Sequence, residues 1–286
     1  MTTNNKGVSN GANSLFQKLV NLDRRIIFIL VSLAVIIPLL YPLFIKVKVT
    51  PEVKSVYDTI ENLPPRSVVL MALDFDPASK PELYPMAEAI LRHAFRKDLR
   101  IIGMTHWATG AGLGEKVFSD IARETGKEYG KDYVYLGWKV GMFAVIIGMG
   151  EDGIVKTFPK DHYGKETANM PVLENVAYLK NIDYLVELAA GNTIGYWYLY
   201  GRLKYKFKMG GGCTGVMAAS WYNLLKIDWI NGFLGGLRGA AEYEELIGKK
   251  ERATKGMDAQ SVTHMLIIMM IIVSNILFFI QKGRSK

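Results

Sequence analysis

Cysteine is almost missing from this chain. Cys213 stands alone among 286 residues, so no intrachain disulfide can form and a small disulfide-stapled scaffold is excluded. Histidine is nearly as scarce. His93, His106, His162 and His264 show no H-x-x-x-H or other zinc spacing, and one thiol cannot build a thiolate centre, so no metal site is expected. No segment repeats at a fixed period, which excludes a solenoid. A charge of one sign is also lacking over most of the sequence. The net charge is +8, but the tails 1–25 and 281–286 hold seven Lys/Arg against Asp23 alone, leaving +2 for everything between. A basic excess held in short tails beside apolar runs suits anionic headgroups, and no nucleic-acid partner is expected.

What the chain does have is two long apolar runs, Ile26–Ile45 and Val262–Ile280, neither containing Asp, Glu, Lys or Arg. Each approaches the ~20 residues that a helix needs to cross a hydrocarbon core. The first is too long for a typical signal-peptide core, and Tyr41–Lys48 offers no small-x-small cleavage site, so an uncleaved anchor is expected. The implied organisation is a flexible basic tail (1–25), a transmembrane helix (26–45), a linker (46–65), a globular domain (66–248), a basic linker (249–261), a second transmembrane helix (262–280) and a basic tail (281–286). Within the first tail, residues 1–13 are polar and Gly/Asn-rich and read as disordered. Pro38 and Pro42 fall inside the first run and are expected to kink it. The localisation implied is a cell membrane crossed twice. Basic residues near the span ends balance across the two sides. Only the Arg24-Arg25 pair tips the reading towards cytoplasmic termini and an extracytoplasmic domain.

Between the spans, apolar runs of strand length alternate with amphipathic segments. Ser67–Asp74, Leu99–Thr105, Tyr133–Trp138 and Ile182–Ala190 read as buried strands, with Phe143–Met149 as a further strand or short buried segment. Pro81–Lys97, Gly114–Thr125, Thr193–Leu203, Thr214–Leu225 and Phe233–Ile247 read as helices, and Glu151–Asn181 as irregular. Such alternation predicts an α/β fold, a doubly wound and mostly parallel sheet between two transmembrane helices.

Ligands of such sheets bind beyond the carboxyl ends of the strands. Four polar loops fall there. Asp74 and Asp76 form an i, i+2 carboxylate pair that can meet a cation or cap the next helix. In the second loop, Gly110, Gly112 and Gly114 follow His106. Their G-x-G-x-G spacing is a weak anion signal, and His106 is the histidine best placed for acid–base work. Gly191, Asn192 and Thr193 form a turn and a helix cap ahead of the aromatic cluster Tyr196, Trp197, Tyr198 and Tyr200. Gly210, Gly211 and Gly212 form a glycine-rich loop before Cys213 and Thr214. There a helix start would lower the thiol pKa, making Cys213 a candidate nucleophile.

Gly232, Gly235, Gly236, Gly239 and Ala240 recur at i, i+3, i+4, i+7 and i+8, a smooth helical stripe suited to close backbone packing against the sheet or another subunit. Asn275 lies deep in the second run, where an amide usually bonds a neighbouring helix. The expected partners are therefore the bilayer and a second copy or other membrane subunits, and no cofactor is implied. Two functions remain. One is a membrane-anchored ligand-binding or assembly subunit of a membrane complex. The other is a membrane-anchored enzyme acting on a small anionic or nucleotide-like substrate, with Asp74, Asp76, His106 and Cys213 as candidate catalytic residues.

Overall fold

The computed structural model describes residues 23–284, so the expected disorder of residues 1–13 lies outside the described residues, as do Lys6, Lys18 and Lys286 of the basic tails. The chain divides into two compact units, Lys46–Thr254 and a second made of Met1–Ile45 with Lys255–Lys286.

The first unit is an α/β domain built on a six-stranded sheet, all parallel, in the order β3-β2-β1-β4-β5-β6. Its strands are β1 (Val68–Asp74), β2 (Arg100–Thr105), β3 (Tyr133–Trp138), β4 (Tyr184–Ala189), β5 (Lys208–Cys213) and β6 (Phe233–Gly235). Every residue of β1 and β4 is buried, as expected of central parallel strands covered on both faces. Burial of each Val, Leu, Ile or Met side chain there contributes about 1.5–3 kcal/mol.

One face of the sheet is covered by α2 (Pro51–Glu61), α3 (Lys80–Arg96), α4 (Ala111–Thr125) and α8 (Gly236–Leu246). The other carries α5 (Phe143–Glu151), the turns within residues 152–181, α6 (Thr193–Tyr196) with its π-helical continuation Trp197–Arg202, and α7 (Ala218–Lys226). Residues 46–65 are not a plain linker. Pro51 sits in the first turn of α2 with Glu52 beside it, and Val53, Val56 and Ile60 repeat along one buried face. Phe143–Met149, open as strand or buried segment, is the helix α5.

Two glycine readings change. Gly210, Gly211 and Gly212 are not a loop but the middle of β5. A Cβ at Gly210 would strike Tyr184 Oη, one at Gly211 the Glu187 carbonyl, and one at Gly212 the Met86 sulfur, so close packing of neighbours accounts for the run. The glycine stripe does not form either. Gly232 precedes β6, Gly235 ends it, and Gly236 opens α8 at φ +59, so only Gly236, Gly239 and Ala240 of the stripe lie within a helix. Gly232 is pressed against α2, and Gly239 against the Leu234 backbone, so the stripe is spent inside the domain.

In the second unit, α1 (Arg24–Leu40) has 17 residues, capped by Asp23, whose carboxylate accepts the Arg25 N–H. It contains Pro38 and stops two residues later, so Pro42 lies beyond it and the first apolar run is helical over only part of its length. Helix α9 (Arg252–Arg284) has 33 residues, takes in most of the segment read as a basic linker, and is the one helix among the described residues long and apolar enough to cross a membrane. Its Asp258 carboxylate accepts the backbone N–H groups of Phe44 (2.8 Å) and Ile45 (3.1 Å). Asn275 is exposed on α9, without a partner among the described residues.

Candidate functional site

Chain order reverses between β1 and β4: β1 leads to β2 on one side, while β4 leads to β5 on the other. At such a switch point the two following connections part in opposite directions and leave a crevice at the strand ends. Asp74 ends β1 there, fully buried, and Glu187 lies on β4, also fully buried. Ala72 pairs with Glu187 and Asp74 with Ala189, so strand alternation puts both acids on the same face of the sheet, one diagonal step apart.

Asp74 organises the site. Its Oδ2 meets His106 Nδ1 at 2.8 Å, and its Oδ1 accepts the His106 backbone N–H at 2.6 Å and the Thr105 hydroxyl at 3.2 Å. Burial works to raise the Asp74 pKa, but the neighbouring His106 and these hydrogen bonds hold it below the usual carboxylate range. The His106 side chain is only 1% exposed, and its ring meets Trp197 edge to face at 5.4 Å between centroids. Trp138 on β3 donates from Nε1 to the His106 carbonyl at 3.2 Å.

Glu187 is the opposite case. Burial, then the charge of Asp74, pushes its pKa well up, which favours its neutral form. Its Oε1 accepts from the Thr193 hydroxyl. Four buried side-chain atoms around Asp74 complete no hydrogen bond: His106 Nε2, Glu187 Oε2, Trp197 Nε1 and Tyr135 Oη. Glu187, Asp74 and the Trp197 indole interact electrostatically, which accounts for part of this set. His106 Nε2 has no hydrogen-bond partner among the described residues. Buried ring nitrogens are normally paired, so this one calls for an account.

The sequence candidates separate into those the fold gathers and those it does not. Asp74, His106 and Thr193 come together. Asp76 does not join Asp74: its carboxylate accepts the Ser79 N–H (3.0 Å) and hydroxyl (2.7 Å), which hold its pKa low and start α3. Gly110, Gly112 and Gly114 do not form an open cradle. Gly110 ends a 3₁₀ turn (Ala108–Gly110) with no room for a Cβ beside the Phe75 carbonyl, and Gly114 lies under Tyr135, while only Gly112 faces open space. Gly191 packs against Trp107, and Asn192 precedes α6 without capping it through its side chain.

Cys213 is fully buried at the end of a strand rather than ahead of a helix, and burial followed by the charge of Glu82 raises its thiol pKa. Both effects disfavour the thiolate that a nucleophile needs. The buried Thr214 hydroxyl has no partner, but it sits beyond β5 rather than beside His106. The string Gly210–Gly215 also spells G-x-G-x-x-G, yet lies largely within β5 instead of in a turn from strand to helix. Among the described residues no group of three or more His, Cys, Asp or Glu is placed to hold a metal ion.

Glu187, Thr105 and Tyr135 were not singled out from sequence as site residues, and Trp197 only as one of an aromatic cluster. An acid inside an otherwise apolar strand, as in Tyr184–Ala189, is the signal that points to Glu187. Beside the cluster lies a cavity of about 410 Å³ at the end of β3, lined by residues that include Leu136, Trp138, Lys139, Lys160 and His162. Its wall Trp138 is the residue that holds the His106 carbonyl. No family model, curated protein or solved structure matches the chain.

Proposed function

We propose that this protein is a membrane-anchored α/β domain that binds a small polar or anionic ligand at the β1/β4 switch point, as the ligand-binding subunit of a membrane complex. One observation carries the reading. His106 is buried and fixed through Nδ1 by Asp74, yet its Nε2 has no partner. A fold stabilised only for its own sake gains nothing from that arrangement, whereas a ligand donor or acceptor at Nε2 completes it. Lys139 and Lys160 outnumber Asp161 around the neighbouring cavity and favour negative charge on the ligand. The length and apolarity of α9 support an anchor; in this reading the apolar run Ile26–Ile45 is a second span, and the Arg24-Arg25 pair favours a domain on the extracytoplasmic side.

The test is native mass spectrometry of the full chain purified in mild detergent from its own source, for wild type and His106→Gln. Wild type is expected to release a small molecule that the variant lacks, while both melt at similar temperature. Identical spectra at full occupancy would remove His106 from ligand binding.

A second reading is favoured by the Asp74–His106 geometry itself. A carboxylate on Nδ1 fixes the tautomer that leaves Nε2 a base, as an acid–base enzyme needs for an anionic or nucleotide-like substrate. In that reading His106 is the base and Asp74 its positioning residue, with no role for Cys213. Turnover of the released molecule, rather than simple retention, is what separates the two.

A further inference from the structure

A second groove of the domain lies at the opposite ends of the strands and has no part in the site above. It has a volume of about 670 Å³. One wall is the solvent face of α2, where Pro51, Lys54, Ser55, Asp58, Thr59 and Asn62 repeat at helical spacing. The other is formed where the chain enters β4 and β5, and supplies Lys180, Asp183, Lys206 and Lys208.

Four ammonium groups thus face two carboxylates, and both carboxylates are engaged. Asp58 is paired with Lys54 at 2.6 Å, and Asp183 accepts the Val68 backbone N–H at 2.7 Å. Lys180 lies over the Tyr178 ring, and neither Lys206 nor Lys208 makes a side-chain hydrogen bond or ion pair among the described residues. Lys206 is moreover held at φ +62, a left-handed conformation uncommon outside glycine, two residues before β5. Surface lysines are ordinarily scattered or paired. Here three without carboxylate partners among the described residues converge on one concavity, beside the hydroxyls of Ser55 and Thr59. Concave walls of low dielectric concentrate such a field, and an ammonium is a point-charge binder of phosphate.

We propose that this groove is a binding site for a phosphate-bearing anion, with Lys180, Lys206 and Lys208 as its charged contacts. The phosphate is supplied either by a soluble compound or by a lipid headgroup.

The full chain in detergent would be titrated calorimetrically with inorganic pyrophosphate. The same protein in nanodiscs of phosphatidylcholine, with or without phosphatidylglycerol, would be followed by hydrogen exchange over residues 51–63. The groove variant carries Lys206→Glu with Lys208→Glu, and the control carries Lys131→Glu with Lys156→Glu, an equal charge change on exposed lysines elsewhere. Saturable pyrophosphate binding that weakens at least about tenfold in the groove variant alone supports a soluble source. Protection of residues 51–63 that needs phosphatidylglycerol, and is lost in the groove variant alone, supports a lipid source. Neither effect, or equal losses in the control, overturns the site. Lys206→Gln with Lys208→Gln replaces the groove variant if the glutamates lower its melting temperature.

Discussion

His93 and His106 are both buried histidines that touch a carboxylate, and the difference between them separates a closed structural network from an open site. His93, on α3, is wedged between α2 and α8. Its Nδ1 meets Tyr243 Oη at 2.7 Å, its Nε2 meets Glu61 at 2.7 Å, and Tyr57 stacks on its ring at 4.5 Å. Both nitrogens are used, and the acid involved reaches solvent. His106 has one nitrogen on a fully buried acid, a second buried acid nearby, and a free Nε2. The first arrangement joins three helices; the second spends burial on ionisable groups at the strand ends, where the fold places ligands.

The largest expected effect comes from breaking each pair at its acid. Asp74→Ala strands the His106 ring N–H, the His106 backbone N–H and the Thr105 hydroxyl in a dry interior, and should cost about 3–5 kcal/mol. Glu61→Ala removes a carboxylate with 40% of its side chain exposed, which water replaces, so the cost should stay within about 1 kcal/mol. Urea unfolding of the full chain in detergent measures both, and equal costs would dissolve the distinction drawn here.

The second contrast is in pH. Burial, opposed only in part by Glu61, holds the His93 pKa below 6.5. A base with a lowered folded pKa stabilises the fold above its unfolded value and loses that contribution as the pH falls through the folded value. His93→Gln should therefore flatten the loss of stability below about pH 6.5, by roughly 1 kcal/mol at pH 5. The neutral tautomers should also differ. Nitrogen NMR should find His93 protonated at Nε2, facing Glu61, and His106 at Nδ1, facing Asp74.

Much of this was legible from sequence, and the reason is patterning. Ser67–Asp74 reads as a buried strand because seven residues in a row there tolerate no water, and Pro81–Lys97 as a helix because its apolar positions keep one face. What local pattern cannot supply is which partner lies across a sheet. The glycines at 210–212 read as a loop because glycine weakens strands. Their reason lies in Met86, Tyr184 and Glu187, residues remote in sequence. Asp74 and His106 were both visible as candidates, but Glu187 was hidden in an apolar run, and the bond joining Asp74 to His106 spans 32 positions. The linker reading of 46–65 failed because polar residues on the exposed face of α2 outnumber the three that it buries.

Glu187→Gln sharpens the comparison from within the site. An acid whose folded pKa is raised stabilises the fold at low pH and loses that contribution as the pH climbs from its unfolded value, near 4.5, through the folded one. Glutamine keeps an oxygen for Thr193 and a donor towards Asp74 without ever ionising. Wild type and variant should match at pH 4.5, and the variant should lead by on the order of 1 kcal/mol at pH 8. Melting curves across that range decide it, and a variant that trails at pH 8 would show Glu187 to be ionised in the fold.

The smallest effect is a silence. Cys213 is fully buried, with its thiol pKa raised, so a maleimide should leave the native chain unlabelled for as long as the domain stays folded. That makes wild type its own blank for a reporter such as Lys156→Cys, whose parent side chain is 74% exposed. In intact cells, labelling of that reporter by an impermeant maleimide places the domain outside, where the ligand comes from the surroundings. Labelling only after lysis places it in the cytoplasm and brings nucleotides within reach of His106. If wild type labels as fast as the reporter, Cys213 is exposed by opening of β5, and the closed half of the comparison must be redrawn around a more mobile sheet edge.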